Sequence, residues 1–177
     1  MIFYIIAIVC GVLFLLLFTL FVIKVNKLKV LNLKVNEAEN EVSDILKEKY
    51  SLLQNINTVL KSKDKEDLLK ELEIIDVDKI NSIELNKNLA KFDKTITELT
   101  EYNKEIVFDE EEEKLFDNLL KVNNSRLAVE KYYNDNALKL NELIDKFPSN
   151  IISKFKKYDE RELFSNEKEE IFEILKK

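Results

Sequence analysis

The feature that most constrains this chain is an uninterrupted apolar run at its beginning. Residues 2–23 carry no charge and only two polar side chains. As a helix they extend about 33 Å at ~1.5 Å per residue, which matches a hydrocarbon core of about 30 Å. Lipid offers the backbone no hydrogen-bond partners, so such a run must be helical. We predict a transmembrane anchor over residues 1–25 that contacts the lipid bilayer through residues 2–23.

A cleaved signal peptide is the alternative interpretation of this run. Signal peptides begin with a basic region, have a shorter apolar stretch and end in small residues at the cleavage site. This chain has no lysine or arginine before Lys24, and no Ala-x-Ala cleavage motif follows the run. Cys10 comes too early for a lipidation site, and the preceding Val9 is too large for one. The sequence therefore favours a retained span.

The charges beside the run predict its orientation. Lys24, Lys27 and Lys29 follow the run closely, and nothing basic precedes it. The positive-inside rule then places the N-terminus outside the cell membrane and the C-terminal part in the cytoplasm. A single cysteine, which permits no internal disulfide, agrees with a reducing compartment. We expect a single-pass protein of the cell membrane.

The rest of the chain is periodic and predicts an all-α fold. Apolar residues from Leu31 to Val59 recur with alternating spacings of four and three, interrupted only at Lys49, and no segment of the chain alternates with the period of a strand. The apolar stripe is wider than a two-stranded coiled coil needs. We predict one N-terminal transmembrane helix followed by an elongated antiparallel bundle of three to four helices over residues 26–165. Short connections make the three long helices run up, down and up.

Helix-breaking residues and caps predict the element boundaries. Asp109 is the expected N-cap of the last long helix, and Pro148 is expected to stop that helix after Phe147. The other predicted features are a break at 62–64, a short helix over 66–75, a second break at 76–78, a helix starting between Lys79 and Ser82, a short piece over 151–158, and a C-terminal amphipathic helix over 166–177.

The composition excludes several kinds of catalytic site. The chain has no histidine, one glycine and one cysteine, so it has no Ser/His/Asp centre, no glycine-rich phosphate loop and no cysteine-based zinc site. Its net charge of −6 disfavours nucleic acid as a partner. The glutamates from Glu110 to Glu113 point around a helix and cannot converge on one metal ion. We predict no catalytic residue, no cofactor and no metal site.

One stretch resembles a known family. Residues 124–164 are similar to the end of the helical domain of LemA proteins, a family of bacterial membrane proteins. The matching features are Tyr133-Asn134, Asn141, Phe147-Pro148-Ser149-Asn150 and Phe164, with Asn55 as one match to the family's first-helix motif. The resemblance implies an antiparallel helical domain on a single N-terminal span, with the N-terminus outside. It implies no known reaction.

The motif residues have a structural and a functional interpretation. Asn134 and Asn141 are seven residues apart and share a helix face. Buried amides at this spacing commonly fix the register between helices, and Asn55 and Asn123 would join them if the helices align. A binding site is the alternative. The motif beginning at Phe147 is interpreted as a helix stop with a hydrophobic plug, or alternatively as a docking corner for a partner.

These observations favour a non-enzymatic, membrane-anchored scaffold or adaptor of the LemA type. The expected contact surfaces are the acidic middle of the chain and the segment 166–177. The alternative is a subunit of a larger membrane or envelope complex, and an enzyme or carboxylate metal protein is disfavoured. The sequence identifies no protein partner and leaves self-association open.

Overall fold

The computed structural model describes residues 1–63, 70–102 and 107–164, and the side chains of residues 99–102 are not part of that description. Helix α1 runs without interruption from Ile2 to Ser62. A short 3-10 helix follows at Lys70–Ile74, then α2 at Ser82–Tyr102, α3 at Glu110–Ile144 and α4 at Ser149–Lys156. The described residues contain no strand. The predicted all-α class is confirmed.

Side-chain caps start the two internal helices. The Asn81 carboxamide oxygen accepts the backbone N–H of Glu84 at 2.9 Å, just before α2. Asp109 accepts the N–H groups of Glu111 and Glu112 at 2.9 Å, and the Glu112 carboxylate accepts the Asp109 N–H in return. This reciprocal pairing is a capping box. Asp109 is therefore the N-cap that the sequence predicts.

Other predicted boundaries agree in part. The break after Ser62 and the turn at residues 77–79 are both present. The structure describes residues 70–75 of the short helix predicted over 66–75. Lys70–Ile74 of this part form the 3-10 helix. Helix α3 ends at Ile144, three residues before the predicted end at Phe147. The C-terminal helix predicted over 166–177 lies outside the described residues.

The chain divides into two compact units. The first unit comprises Met1–Glu37 and Tyr133–Lys177, and the second comprises Ala38–Tyr132. Both α1 and α3 contribute to each unit. The domain boundaries at residues 25 and 165, and a bundle over residues 26–165, stay predictions.

In the second unit, α1 and α2 run in the same direction. Lys49 on α1 pairs with Asp93 on α2, and further along α1, Lys63 donates to the Val107 carbonyl at 3.1 Å. Val107 lies only five residues beyond the end of α2, too few to reach Lys63 if α2 ran the opposite way, so residue numbers rise together along the two helices. The predicted order of up, down and up is wrong for α2.

Helix α2 runs parallel to α1 because the connection between the two helices returns along α1 before α2 begins. Glu73 pairs with Lys61 near the end of α1 at 3.0 Å, and Asp78 pairs with Lys47 at 3.2 Å. The chain thus travels back towards the middle of α1. Helix α2 then starts in the same direction that α1 had taken.

Helix α3 runs opposite to both in the second unit. Glu112, in its first turn, pairs with Lys63 at the end of α1 at 2.8 Å. Further along α3, Arg126 reaches Asn86 near the start of α2. The apolar stripe of this unit lies inside as predicted, with these members buried: Val42, Leu46, Leu53, Ile56, Leu60, Leu85, Leu89, Phe92, Ile96, Leu119 and Val122.

In the first unit, the apolar stretch of α1 is exposed and packing begins after it. Every side chain from Met1 to Leu20 is exposed, while Leu28 and Val35 are fully buried. The first unit also contains the end of α3, α4 and a non-helical segment over residues 158–164. Among the described helices, α1 alone is long and apolar enough to cross a membrane.

Candidate functional site

Two asparagine side chains of α3 hold the backbone of the non-helical segment. The Asn141 carboxamide donates to the Arg161 carbonyl and accepts the Arg161 N–H, both at 2.9 Å. Asn134 pairs with Phe164 in the same way, at 3.0 Å to the carbonyl and 2.9 Å from the N–H. Each amide satisfies both polar groups of one backbone residue, as a neighbouring strand would. We call Asn134 and Asn141 the asparagine clamp.

The spacing of the asparagine clamp matches the spacing of the residues it binds. Seven residues of α-helix rise about 10.5 Å. Three residues of extended chain cover about 10 Å. Asn134 and Asn141 therefore meet Phe164 and Arg161 in register. Seven residues along α3 therefore cover about the same distance as three residues along the bound segment.

Tyr133 adds a third attachment between the two asparagine contacts. Its hydroxyl donates to the Glu162 carbonyl at 3.0 Å. Its ring meets Phe164 edge-on, with 5.0 Å between ring centroids and an interplanar angle of 77°. Both rings are almost fully buried. Edge-to-face pairs of this kind contribute about 0.5–1.5 kcal/mol beyond burial alone.

Arg161 links the clamped segment to α1. Its guanidinium donates to the Asn36 carboxamide oxygen at 2.7 Å and lies 3.5 Å from that of Asn32. The backbone of Arg161 is held by α3, whereas its side chain is held by α1. The segment therefore ties these two helices together within the first unit.

The sequence singles out the clamp residues but predicts the wrong partner for them. Asn134 and Asn141 are expected to fix register between helices, yet their hydrogen bonds go to a non-helical segment. The segment contributes backbone atoms, which leave no pattern in a sequence. Asn55 and Asn123 do not join the clamp, because both lie in the second unit and Asn55 is exposed.

The predicted plug at Phe147 is also wrong. Its side chain is 79% exposed, because α3 ends at Ile144 and the chain turns before reaching it. Pro148 stands at the N-cap position of α4. Ser149 is buried, and the Asn150 carboxamide oxygen is buried with no hydrogen-bond partner in the described structure.

Lys24, Lys27 and Lys29 are exposed on α1.

No family model, curated protein or solved structure matches this chain. The resemblance to LemA proteins therefore rests on the motif residues alone.

A second polar cluster lies inside the second unit, and the sequence pattern singles out only Lys49 among its members. Lys49, which interrupts the apolar stripe of α1, is completely buried and pairs with Asp93 on α2. On α3, Arg126 pairs with Glu130 at 2.8 Å and donates to Asn86 on α2. Each of the three helices thus contributes to the cluster.

The electrostatics of this cluster are those of a buried network. Burial lowers the pKa of the Lys49 ammonium below its usual range; Asp93 opposes this shift, and Arg126 adds to it. Asp93 Oδ1 and Arg126 Nε are buried with no hydrogen-bond partner within the described chain. Perturbed titratable groups are candidates for chemistry. Here Lys49 has no exposed surface for a substrate to reach, so the cluster is better explained as a register device between helices.

Metal binding has no candidate in the described ranges. No group of three or more acidic or cysteine side chains there is arranged to hold an ion.

Breaking the Lys49–Asp93 pair should destabilise the protein strongly. Asp93→Asn leaves a buried ammonium without its counter-charge, a change that costs roughly 3–5 kcal/mol in buried pairs. The double variant Lys49→Met/Asp93→Leu should recover most of this loss. Thermal and denaturant unfolding of the full chain in detergent micelles, followed by circular dichroism, measures both.

The matched control is the exposed pair of Lys47 and Asp78. Asp78→Asn should cost no more than about 1 kcal/mol, because solvent screens this pair. If Asp93→Asn cost as little as Asp78→Asn, the buried pair would not fix the packing of α1 on α2.

Removing the asparagine clamp should release the bound segment. Asn134→Ala and Asn141→Ala each leave an N–H and a carbonyl of the segment without partners, at about 1–3 kcal/mol for each buried group. Amide hydrogen exchange of a peptide covering residues 158–164, measured on the full chain, should accelerate about tenfold or more.

The exposed Asn55→Ala is the matched control and should leave this exchange unchanged. Unchanged protection in the Asn134→Ala/Asn141→Ala double variant would contradict the role of the clamp.

Proposed function

We propose that this chain is a non-enzymatic, membrane-anchored scaffold of the LemA type. Residues 2–23 anchor it in the lipid bilayer, and its helices present a surface to protein partners. The observation that carries the proposal is the continuity of α1 from Ile2 to Ser62. One helix bears both an exposed apolar stretch and a stripe that is buried against other helices.

The exposed apolar stretch supports the anchor. Side chains such as Phe3, Phe14 and Leu17 are more than half exposed, and every side chain from Met1 to Leu20 is in the exposed class. Apolar surface in water costs roughly 25 cal/mol per Å². A stretch of this area has a favourable environment in the hydrocarbon core of a bilayer.

The lysines support the orientation. Lys24, Lys27 and Lys29 are exposed directly after the stretch. They suit the anionic headgroups of a cytoplasmic leaflet. The proposed topology has the N-terminus outside and all residues after the span in the cytoplasm.

The asparagine clamp supports the role as a scaffold. It holds the backbone at Arg161 and Phe164, so Phe164 has a defined position on α3. Residues 166–177, a proposed contact surface, follow closely in the sequence. The defined position of Phe164 restricts how far from α3 a partner bound by these residues is placed.

The same residues support the resemblance to LemA proteins. Tyr133, Asn134 and Asn141 act together on one segment, and that segment includes Phe164, which belongs to the same set of matching features. The motif beginning at Phe147 separates α3 from α4. Residues that are distant in sequence but matched together are thus in contact.

Topology is tested with single cysteines in the full chain. In a Cys10→Ser background, a cysteine at the exposed Asp135 should react with a membrane-impermeant maleimide only after bacterial cells are permeabilised. A cysteine at Ile2 should react in intact cells. The reverse labelling would contradict the proposed orientation.

Partner binding is tested by photo-crosslinking in intact membranes. The full chain, and a chimera that joins an unrelated span to residues 24–177, should give the same discrete protein adducts. Residues 1–34 alone should give none of them. A single stoichiometric adduct would favour a subunit of a larger complex, and no adduct above the 1–34 control would contradict both functions.

A further inference from the structure

Helix α4 is amphipathic, but it exposes its apolar side, which a helix of a water-soluble protein normally buries. Phe147, just before the helix, and Ile151 and Phe155 recur every four residues and are 79%, 46% and 83% exposed. Ser149 and Ser153 are buried, and the Ser153 hydroxyl donates to the Ile144 carbonyl at 3.2 Å. The polar side of α4 thus packs inward, and its aromatic side faces outward.

The exposed apolar side is accompanied by positive charge. Between Lys146 and Tyr158 there are four lysines and no acidic residue. All four lysine side chains are exposed. The combination of aromatic residues with flanking lysines on a short helix is typical of helices that lie in a membrane interface.

The course of α3 places α4 on the anchor side of the first unit. Contacts in the second unit show that α3 runs opposite to α1. Both helices continue unbroken into the first unit, so α3 ends on the side where the apolar stretch ends. Asn141 binds the backbone of Arg161 and Asn36 binds its guanidinium, so these two positions lie within one arginine side chain of each other.

Only a short length of α1 separates the apolar stretch from the residues that pack in the first unit. Packing against α1 begins at Leu28, which lies about 7.5 Å beyond Ile23 along the helix. Helix α3 has only three residues left after Asn141, and α4 follows it. Helix α4 is therefore the described element next to the bilayer, if residues 2–23 span one.

We propose that α4 is a second membrane contact, which lies on the cytoplasmic surface of the bilayer. Phe147, Ile151 and Phe155 insert among the lipid headgroups, while Lys154 and its neighbouring lysines contact anionic lipids. This inference rests on the anchor of the proposed function. It assigns α4 the role of fixing the first unit against the membrane surface.

The absence of tryptophan from the chain provides a direct test. Three full-length variants each carry one tryptophan: Phe155→Trp on α4, Phe14→Trp in the anchor, and Leu138→Trp as an exposed position on α3 away from the bilayer. Each is reconstituted into phosphatidylcholine vesicles with and without phosphatidylglycerol, using lipids whose chains are unlabelled or brominated. The readouts are the emission maximum and the loss of emission caused by bromine.

The expected result is a blue-shifted emission for Phe155→Trp, quenched by brominated lipid and more strongly so with phosphatidylglycerol. Adding Lys154→Gln, Lys156→Gln and Lys157→Gln should remove the dependence on phosphatidylglycerol. Leu138→Trp should emit as in water and stay unquenched, whereas Phe14→Trp should be quenched by brominated lipid with or without phosphatidylglycerol.

Each other outcome overturns a defined part of the proposal. If Phe14→Trp is quenched and Phe155→Trp is not, the surface contact is wrong and the anchor stands. If Phe155→Trp is blue-shifted but unquenched, protein covers this face, including a second copy of the chain, and the lipid contact is wrong. If Phe14→Trp is unquenched, the anchor and the surface contact are both wrong.

Discussion

The first unit depends on finding hydrogen-bond partners for a backbone that belongs to no helix or sheet. A buried N–H or carbonyl without a partner costs about as much as a lost hydrogen bond, so a segment such as residues 158–164 packs only where partners exist. Asn134 and Asn141 supply them from side chains. Carboxamides suit this task because each carries a donor and an acceptor side by side. The packing of Phe164 on Tyr133 follows from that pairing.

Much of the fold follows from local sequence signals. The all-α class, the start of α3 at Asp109 and the buried stripe are encoded by periodicity and capping, which act within a few residues. The direction of α2 is not encoded in this way. It follows from the course of the α1–α2 connection back along α1, and the contacts that mark this course, such as Lys61 with Glu73, join residues that cannot be matched from spacing.

The candidate site was predictable to a similar extent. Heptad spacing identified Asn134 and Asn141 as a pair, because both project from one helix face. The partner was not identifiable, since any residue offers the same backbone. Lys49 shows the converse case: its position in an apolar stripe signals burial, while its counter-charge Asp93 comes from another helix and looks like an ordinary exposed acid in the sequence.

The unbroken course of α1 has a mechanical consequence. Between Ile23 and Leu28 the chain has no glycine, proline or change of helix type that would act as a joint. A stiff helix that spans a bilayer tilts further when the bilayer becomes thinner, and a domain packed rigidly on that helix tilts with it. With the proposed anchor in a bilayer, the tilt of the part of the first unit packed on α1 therefore follows the thickness of that bilayer.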